Sequence, residues 1–220
     1  MAPGADGVVS ALPPAWAHPT ALIEPGVALG EGTKVWDNVH IRRGARIGRS
    51  CIIGEKTYVA YAVSIGDFCK LNASVYVCAQ VTIEDFVMLS AHTVFTNDRF
   101  PRAGNRDLTG LETSDVTDET LATRVCQGTT VGANATIGPG LVLGEFSMVG
   151  MGSVVTKAVP AYGLVVGNPA RLVGWVCRCG HPLERFPEGC AEGHGASPRA
   201  LACESCDRTY TADAAGLRPE

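Results

Sequence analysis

The sequence predicts an all-β chain: a parallel β-helix of six-residue repeats, interrupted by one long loop and followed by a small cysteine-rich module. Three observations support this prediction. A branched apolar residue returns at every sixth position over two long stretches of the chain. A polar segment of 27 residues, 98–124, separates the two stretches. Five of the nine cysteines lie within the last 44 residues, where the six-residue period has stopped.

The period of six gives the core of the predicted β-helix. The repeating positions hold aliphatic residues or Phe, and they are Ile23, Leu29, Val35, Ile41, Ile47, Ile53, Val59, Ile65, Leu71, Val77, Ile83, Leu89, Phe95, and, after the gap, Val125, Val131, Ile137, Leu143, Val149 and Val155. A second slot, four residues after each of these, holds smaller residues such as Thr33, Ala45, Cys51 and Thr57. Two inward positions of unequal size suit a narrow prism, whose stacked coils share one core.

The pattern also divides the chain. We assign residues 1–17 to an N-terminal extension, 18–175 to the β-helix with the inserted loop 98–124, 176–212 to the cysteine-rich module and 213–220 to a tail. A loop of this length on a rigid scaffold usually carries function, so we expect it to form part of a site. The alternative is a surface excursion without function.

Composition narrows the classes of partner and compartment. The chain has 220 residues, 46% hydrophobic and 18% charged, with a formal net charge of -4. This charge provides no basic field for a nucleic-acid backbone. No apolar run approaches the roughly 20 residues of a membrane span, and residues 1–19 lack the pattern of a signal peptide. We therefore expect a cytoplasmic protein that binds neither nucleic acid nor membrane.

Two motifs carry a resemblance to a known superfamily. The run Gly-Met-Gly-Ser-Val-Val-Thr-Lys at 150–157, followed by Val-Val-Gly-Asn-Pro-Ala-Arg at 165–171, resembles the coenzyme A end of the hexapeptide acyltransferases. The run Val-Phe-Thr-Asn-Asp-Arg-Phe-Pro-Arg at 94–102, with Gly174-Trp175, resembles the nucleotide-linked 3-amino-sugar N-acetyltransferases. The resemblance covers about residues 18–175.

The resemblance implies more than the period alone. Parallel crossovers are normally right-handed, whereas this superfamily forms left-handed β-helices with three hexads per coil, so that nineteen hexads make about six coils. It further implies a homotrimer with active sites between neighbouring copies. The implied reaction transfers an acetyl group from acetyl-CoA, the cosubstrate, to the amine of a nucleotide-linked amino sugar.

Seven residues of the matching motifs are implied to bind coenzyme A. Cations near the last coils would meet its phosphates, glycines would let the pantetheine approach the backbone, and Pro-Ala would flank the adenine. These residues are Gly150, Gly152, Ser153, Lys157, Pro169, Ala170 and Arg171. For the two glycines, corner geometry is an equally good explanation.

Three residues near the start of the loop are candidates for the chemistry. The site must favour the neutral amine, orient it and stabilise an oxyanion. Asn97, which matches the Asn of the family's Phe-Thr-Asn motif, is the first candidate for holding the amine; alternatively it only turns the chain. Asp98 would pair with the ammonium or a sugar hydroxyl, or is a solvated acid. His92 would act as general base, or is a surface histidine.

Other functions remain to be separated. Where the enzymes acting on UDP-2-acetamido-3-amino-glucuronate tend to show Gln-Asn-Asn, this chain has Asn72-Ala73-Ser74, so the sequence does not specify the sugar. An O-acetyltransferase acting on a sugar or small alcohol is the nearest alternative and would need a strong base. A carbonic anhydrase of the γ type needs three histidines, and the coils hold only His40 and His92. A non-catalytic scaffold that binds a partner through its cysteine-rich module is the third alternative.

The cysteine-rich module has the spacing of a zinc ribbon. Cys177 and Cys179 form a Cys-x-Cys pair, and Cys203 and Cys206 form a Cys-x-x-Cys pair. Four thiolates at two turns suit a structural, tetrahedral Zn²⁺, which would supply the folding energy of so small a module. Redox-active or unstructured thiols are the alternative. The module would cap the open end of the β-helix or bind a partner.

The other cysteines and nearby histidines have lesser roles. Any one of His181, Cys190 and His194 could replace a cysteine ligand. The pattern predicts that Cys51 and Cys69 are core thiols. No chemistry is assigned to Cys78 and Cys126, each of which follows an inward aliphatic position.

Overall fold

The protein is a three-walled prism of stacked β-coils, as seen in a computed structural model that describes residues 12–113, 115–187 and 198–220. Strands directly above one another are 18 residues apart, as in the pairing of Lys34 with Ile52 and of His40 with Tyr58. Three hexads therefore make one coil. The described residues form no helix, and hence none that is long and apolar enough to cross a bilayer. This is the predicted left-handed parallel β-helix.

Strands are numbered β1 to β26 in chain order. Wall A consists of β1 Trp16–Ala17, β4 Lys34–Val35, β7 Ile52–Ile53, β10 Lys70–Leu71, β13 Met88–Leu89, β16 Thr130–Val131, β19 Met148–Val149 and β21 Gly163–Gly167. Wall B consists of β2 Leu22–Ile23, β5 His40–Ile41, β8 Tyr58–Val59, β11 Tyr76–Val77, β14 Val94–Phe95, β17 Thr136–Ile137 and β20 Val154–Val155. Wall C consists of β3 Ala28–Leu29, β6 Arg46–Ile47, β9 Ser64–Ile65, β12 Val81–Ile83, β15 Thr123–Val125 and β18 Val142–Leu143.

The predicted inward positions form the core. From Val35 to Val155 the aliphatic position of every hexad is buried. Thr33 and Thr57 in the second slot are also buried, and their hydroxyls are satisfied by the backbone: Thr33 Oγ1 donates to the Gly48 carbonyl at 2.7 Å and Thr57 Oγ1 to the Asn72 carbonyl at 3.0 Å. The slot therefore takes small residues, polar or apolar.

The two core thiols follow the same rule. Cys51 and Cys69 are 0% and 1% exposed, and their Sγ atoms contact the Gly66 and Glu84 carbonyls at 3.1 and 2.9 Å. The prediction that they are core thiols is confirmed.

The corners between walls repeat one backbone turn. We call the turn from wall A to wall B the first corner, from B to C the second and from C to A the third. Many corner residues have positive φ, including Phe68 (57°), Phe86 (58°), His92 (60°) and Phe146 (53°). Non-glycine residues seldom adopt this conformation, and here each is held by backbone bonds to neighbouring coils.

The long loop leaves the prism at the second corner. Val81 in β12 pairs with Thr123 in β15, a separation of 42 residues instead of 18, and the regular stacking resumes at once. The Leu121 N–H donates to the Asn97 carbonyl at 3.2 Å, so the two ends of the loop meet. The insertion is thus accommodated without a break in the core.

The C-terminal part of the chain extends the sheet of wall A beyond β21. After β21 the chain reverses into β22 Ala170–Val176, which pairs antiparallel with β21, and β23 Pro182–Arg185 adds to β22. The small sheet of β24 Arg199–Ala202, β25 Thr209–Asp213 and β26 Gly216–Pro219 follows. This sheet extends through Pro219, beyond the boundary assigned at residue 212.

A second apolar cluster joins this module to the prism. Trp175 and Tyr210 are 0% and 1% exposed. At the third corner, Phe146 stacks on Tyr162 with ring centroids 5.5 Å apart, and Tyr162 meets Tyr210 edge-on at 5.6 Å. Arg178 lies over the Phe146 ring at 4.9 Å. The module is therefore packed against the last coils.

Candidate functional site

The first corner aligns His92 with two of the predicted coenzyme A residues. Asn134 is one coil above His92, and Gly152 is one coil above Asn134, as shown by the N–H of Asn134 donating to the Ala91 carbonyl and that of Gly152 to the Ala133 carbonyl. Coils rise by about 4.8 Å, so His92 and Gly152 are about 10 Å apart along one edge. His92 is exposed there, and its side chain is free to meet a ligand.

The hairpin of β21 and β22 extends this edge upward. The Gly167 N–H donates to Ser153 Oγ at 3.1 Å, which places the hairpin tip above the first corner. A Cβ on Gly150 would lie 2.7 Å from Val166 Cγ1, so the glycine allows the hairpin to approach. Pro169 at the tip and Arg171 beyond it are exposed.

Ser153 and Lys157 differ from the other predicted coenzyme A residues. Ser153 is 0% exposed and occupies the second inward slot, where its hydroxyl accepts the bond from Gly167. Its observed contact is therefore with the hairpin. Lys157 is exposed and follows β20, so it lies at the second corner.

Asn97 and Asp98 lie at the second corner too. Asn97 is half-buried, and its Nδ2 donates to the Ala79 carbonyl at 3.5 Å, which leaves Oδ1 as an acceptor. Asp98 is exposed. Burial raises the pKa of the nearby Cys78 thiol to about 12, and that thiol stays neutral at physiological pH. Asn97 is two coils below Lys157 on this edge.

His92 and Asn97 therefore stand at opposite edges of wall B, although only five residues separate them. His92 precedes β14 and Asn97 follows it. The structure brings His92, Gly150, Gly152, Pro169, Ala170 and Arg171 to one edge and Asn97, Asp98 and Lys157 to the other. A single chain does not unite the two groups.

A cleft of about 340 Å³ lies below His92 on the first corner. Its lining includes Trp36, Glu55, Asn72 and Ala73, and it ends at Ala91, next to His92. The motifs in the sequence point to Asn72-Ala73-Ser74 only as a departure from a related pattern, and they do not point to Trp36. The signal was present in the 18-residue spacing of Trp36, Gly54, Asn72 and Ser90, which places all four on one edge.

The four predicted zinc ligands converge. Their Sγ atoms all lie within 4.8 Å of one another, with Cys177 to Cys206 at 3.5 Å and Cys179 to Cys203 at 3.6 Å. Tetrahedral zinc with Zn–S bonds of about 2.3 Å separates its sulfurs by about 3.8 Å, so the donor set fits this metal. A hydrogen bond from the Arg208 backbone lowers the pKa of Cys206 to about 6.

The turns that hold these thiols are also ordered by the backbone. The Cys177 N–H donates to the His181 carbonyl and the Cys203 N–H to the Arg208 carbonyl, at 2.8 and 2.9 Å. The His181 side chain is not in the sulfur cluster. Cys190 and His194 lie outside the described residues.

Comparison with known proteins agrees with this architecture. The sequence profile of a family described as "Hexapeptide repeat of succinyl-transferase" matches residues 44–79 and 123–157. The two matched segments therefore carry the hexapeptide repeats of that family. Among curated relatives, dTDP-3-amino-3,6-dideoxy-alpha-D-galactopyranose 3-N-acetyltransferase of Aneurinibacillus thermoaerophilus is 50% identical over 62 residues, 28% of this chain and 32% of that protein.

One further curated protein and one solved structure are similar to parts of this chain. Serine acetyltransferase 4 of Arabidopsis thaliana is 40% identical over 68 residues, 31% of this chain and 18% of that protein. The matched segments thus span less than a third of the length of these curated relatives. A solved point mutant of AntD, an N-acyltransferase from Bacillus cereus in complex with dTDP and coenzyme A, has a TM-score of 0.50 at 20% identity, covering 74% of this chain and 82% of that one. This likeness concerns the fold alone.

Proposed function

We propose that the protein transfers the acetyl group of acetyl-CoA to the amine of a nucleotide-linked amino sugar. The observation that carries this proposal is the alignment along the first corner: the motif residues Gly150 and Gly152 and the hairpin tip stand above His92, and an open cleft lies below it. The segment 50% identical to a sugar-nucleotide 3-N-acetyltransferase supports the same reaction.

The upper half of this edge suits coenzyme A. Gly152 has nothing within 4 Å of its missing Cβ, so the pantetheine arm has room against the backbone. Pro169 and Ala170 at the hairpin would flank the adenine, and the exposed Arg171 guanidinium would meet a phosphate. Ser153 would act indirectly, because its hydroxyl fixes the hairpin through Gly167.

The two edges of wall B would meet in a homotrimer. The seven outward residues of wall B include no Lys, Arg, Asp or Glu, and they are Leu22, His40, Tyr58, Tyr76, Val94, Thr136 and Val154. Walls A and C, in contrast, expose Lys34, Lys70, Arg46 and Arg124. A wall without charge suits burial around a threefold axis.

This packing would complete the site. When three copies turn the same wall towards the axis, the first corner of each faces the second corner of a neighbour. Asn97 and Lys157 of one copy then stand opposite His92 and Gly152 of the next. The cleft between two rigid edges would align thioester and amine, which is where proximity contributes most to the rate.

The residues at this junction have separate roles in the proposal. Asn97 Oδ1 would accept a hydrogen bond from the amine and aim its lone pair at the thioester carbonyl. Asp98 would pair with the incoming ammonium or a sugar hydroxyl. His92 would take a proton from the nitrogen as it attacks. Lys157 would meet a coenzyme A phosphate from the second edge.

We also propose a structural zinc ion in the cysteine-rich module, held by Cys177, Cys179, Cys203 and Cys206. The sulfur cluster supports four-thiolate ligation, which leaves no open position for a catalytic water. Zinc would link the turn after β22 to the turn before β25. Reduced, metal-binding thiols and acetyl-CoA both fit a cytoplasmic protein.

The reaction is tested by thiol release from acetyl-CoA with UDP- and dTDP-linked 3- and 4-amino sugars. We expect turnover with an amino sugar that falls about 100-fold in Asn97→Ala. Retained activity in His92→Ala would contradict the proposed role of His92 as base and leave the orientation of the amine by Asn97 as the main contribution. If only hydroxyl acceptors react and His92→Ala is inactive, the O-acetyltransferase function replaces the one proposed.

A further inference from the structure

The cleft below His92 contains an aromatic side chain that the proposed chemistry does not use. Trp36 is 43% exposed and lines the cleft. Its ring is supported by Trp16, whose centroid is 5.6 Å away at an interplanar angle of 73°. A solvated indole fixed by a neighbouring ring is a surface on which a planar group stacks.

The residues of this edge change in character from coil to coil. Directly below His92 are Asn72, Ala73 and Ser74, which are half-buried and include two polar side chains. One coil lower are Glu55 and Lys56, both exposed.

Lys56 is available to a ligand. It shares the corner position of His92, with a φ of 59°. Across the described parts of the chain, no acidic side chain pairs with its ammonium group. Trp36 follows one coil below Lys56.

This order matches the parts of a sugar nucleotide. From Ser90, beside His92, to Trp36 is three coils, or about 14 Å. A sugar nucleotide presents in sequence an amine on a hydroxylated ring, a diphosphate, a ribose and a planar base. The edge offers matching groups in the same order. The polar side chains of Asn72 and Ser74 suit hydroxyls, the Lys56 ammonium suits a diphosphate, and the Trp36 ring suits a base.

We propose that the cleft binds the nucleoside diphosphate of the acceptor, with the base on Trp36 and the diphosphate at Lys56. Glu55 then accepts a hydrogen bond from a hydroxyl of the nucleoside sugar. The inference rests on the proposed function and adds a direction to it: coenzyme A lies towards the C-terminal coils and the acceptor towards the N-terminal coils, with the amine and thioester meeting at His92.

Nucleotide binding is measured first without any acetyl transfer. The probe is dTDP or UDP alone, titrated into the full-length Trp16→Phe variant, whose fluorescence comes from Trp36 and the buried Trp175. We expect quenching on titration, and a dissociation constant by calorimetry that rises about 5- to 100-fold in Trp36→Leu, as for loss of one base stack. No quenching, or unchanged affinity in Trp36→Leu, overturns the proposal.

A second variant separates the diphosphate from the base. Lys56→Met should weaken dTDP binding and reduce its salt dependence while leaving thymidine binding unchanged. The matched control is Arg46→Met on wall C, which should change neither. Equal effects of Lys56→Met on dTDP and thymidine would overturn the assignment of the diphosphate.

The two proposals fail in different ways. If dTDP binds at Trp36 but no nucleotide-linked amino sugar releases thiol from acetyl-CoA, the cleft stands and the proposed reaction fails. If thiol is released with such a sugar while Trp36→Leu leaves its KM and the dTDP affinity unchanged, the reaction stands and the cleft is wrongly assigned.

Discussion

The separation of Asn97 and His92 onto opposite edges of wall B leads to a test of the shared site. If each active site takes its first corner from one copy and its second corner from a neighbour, two inactive variants should complement each other. The variants are Asn97→Ala, which damages the second corner, and Gly152→Phe, which fills the proposed coenzyme A edge of the first corner.

Gly152→Phe should fill the groove without unfolding the coil. Gly152 has a φ of 68° and open space around it, and Phe68, Phe86 and Phe146 adopt nearly the same φ at other corners of this prism. The cost of a side chain at positive φ is about 1–2 kcal/mol. Gly26→Phe is the matched control, because Gly26 has a φ of 80°, open space and a position on the first coil, far from the site.

The size of the effect follows from the proposed threefold symmetry. A trimer containing both variants has three interfaces, and in one of them an undamaged first corner faces an undamaged second corner. Trimers that carry both variants, isolated by two affinity tags, should therefore show about one third of the wild-type rate, while each homotrimer is about 100-fold slower. Mixed trimers no more active than the homotrimers would refute the shared site.

Three further outcomes test the scaffold. Phe95→Ala removes a buried aromatic ring from the shared core, and urea denaturation should show a loss of about 3–5 kcal/mol, whereas Val142→Ala on the outer face of wall C should cost far less. Tyr210→Phe deprives the Arg178 N–H of its acceptor and should cost about 1–3 kcal/mol, with faster release of zinc to a chromogenic chelator. The hydrogen bond from the Arg43 backbone N–H, together with His40 and Arg42, lowers the pKa of the Glu24 carboxyl in the folded protein. The ionised Glu24 side chain therefore stabilises the fold above its unfolded-state pKa, and this stabilisation is lost as the pH falls through the folded-state pKa. Glu24→Gln should accordingly lower the melting temperature at pH 7, and the difference from the wild type should shrink as the pH falls below the unfolded pKa; a difference that does not change with pH would contradict this account.

The repeating core is predictable because each six-residue repeat places its aliphatic residue at the same inward position. Ile53 and Leu71 are inward for the same reason that they recur, and the small slot accepts Cys51 or Thr57 because a corner carbonyl is always within reach. The clustering of the four cysteines also follows from their spacing. The six-residue pattern does not predict the first strand, which contains Trp16, because Ala17 at its inward position is too small to register as a core residue.

The six-residue pattern does not predict the C-terminal hairpin or the layout of the site. The period ends at Val155, and the antiparallel pairing of β21 with β22 depends on contacts that the hexads do not encode, such as Val166 against Gly150. Proximity in sequence does not predict which residues share the site. His92 and Asn97 are only five residues apart in the chain, yet their side chains lie at opposite edges of wall B. Residues 18 apart, not residues five apart, share an edge of this fold.

This layout has a consequence for the order of the reaction. Coenzyme A and the acceptor would approach His92 from opposite ends of one edge, so neither blocks the other, and both can be bound at once. A covalent acetyl-enzyme would need a reactive nucleophile at the junction, but the nearby Cys78 thiol is buried and its pKa is raised to about 12. The transfer should therefore be direct, and initial rates with both substrates varied should give intersecting double-reciprocal lines. Parallel lines, with burst release of coenzyme A in the absence of acceptor, would indicate an acetyl-enzyme and contradict direct transfer.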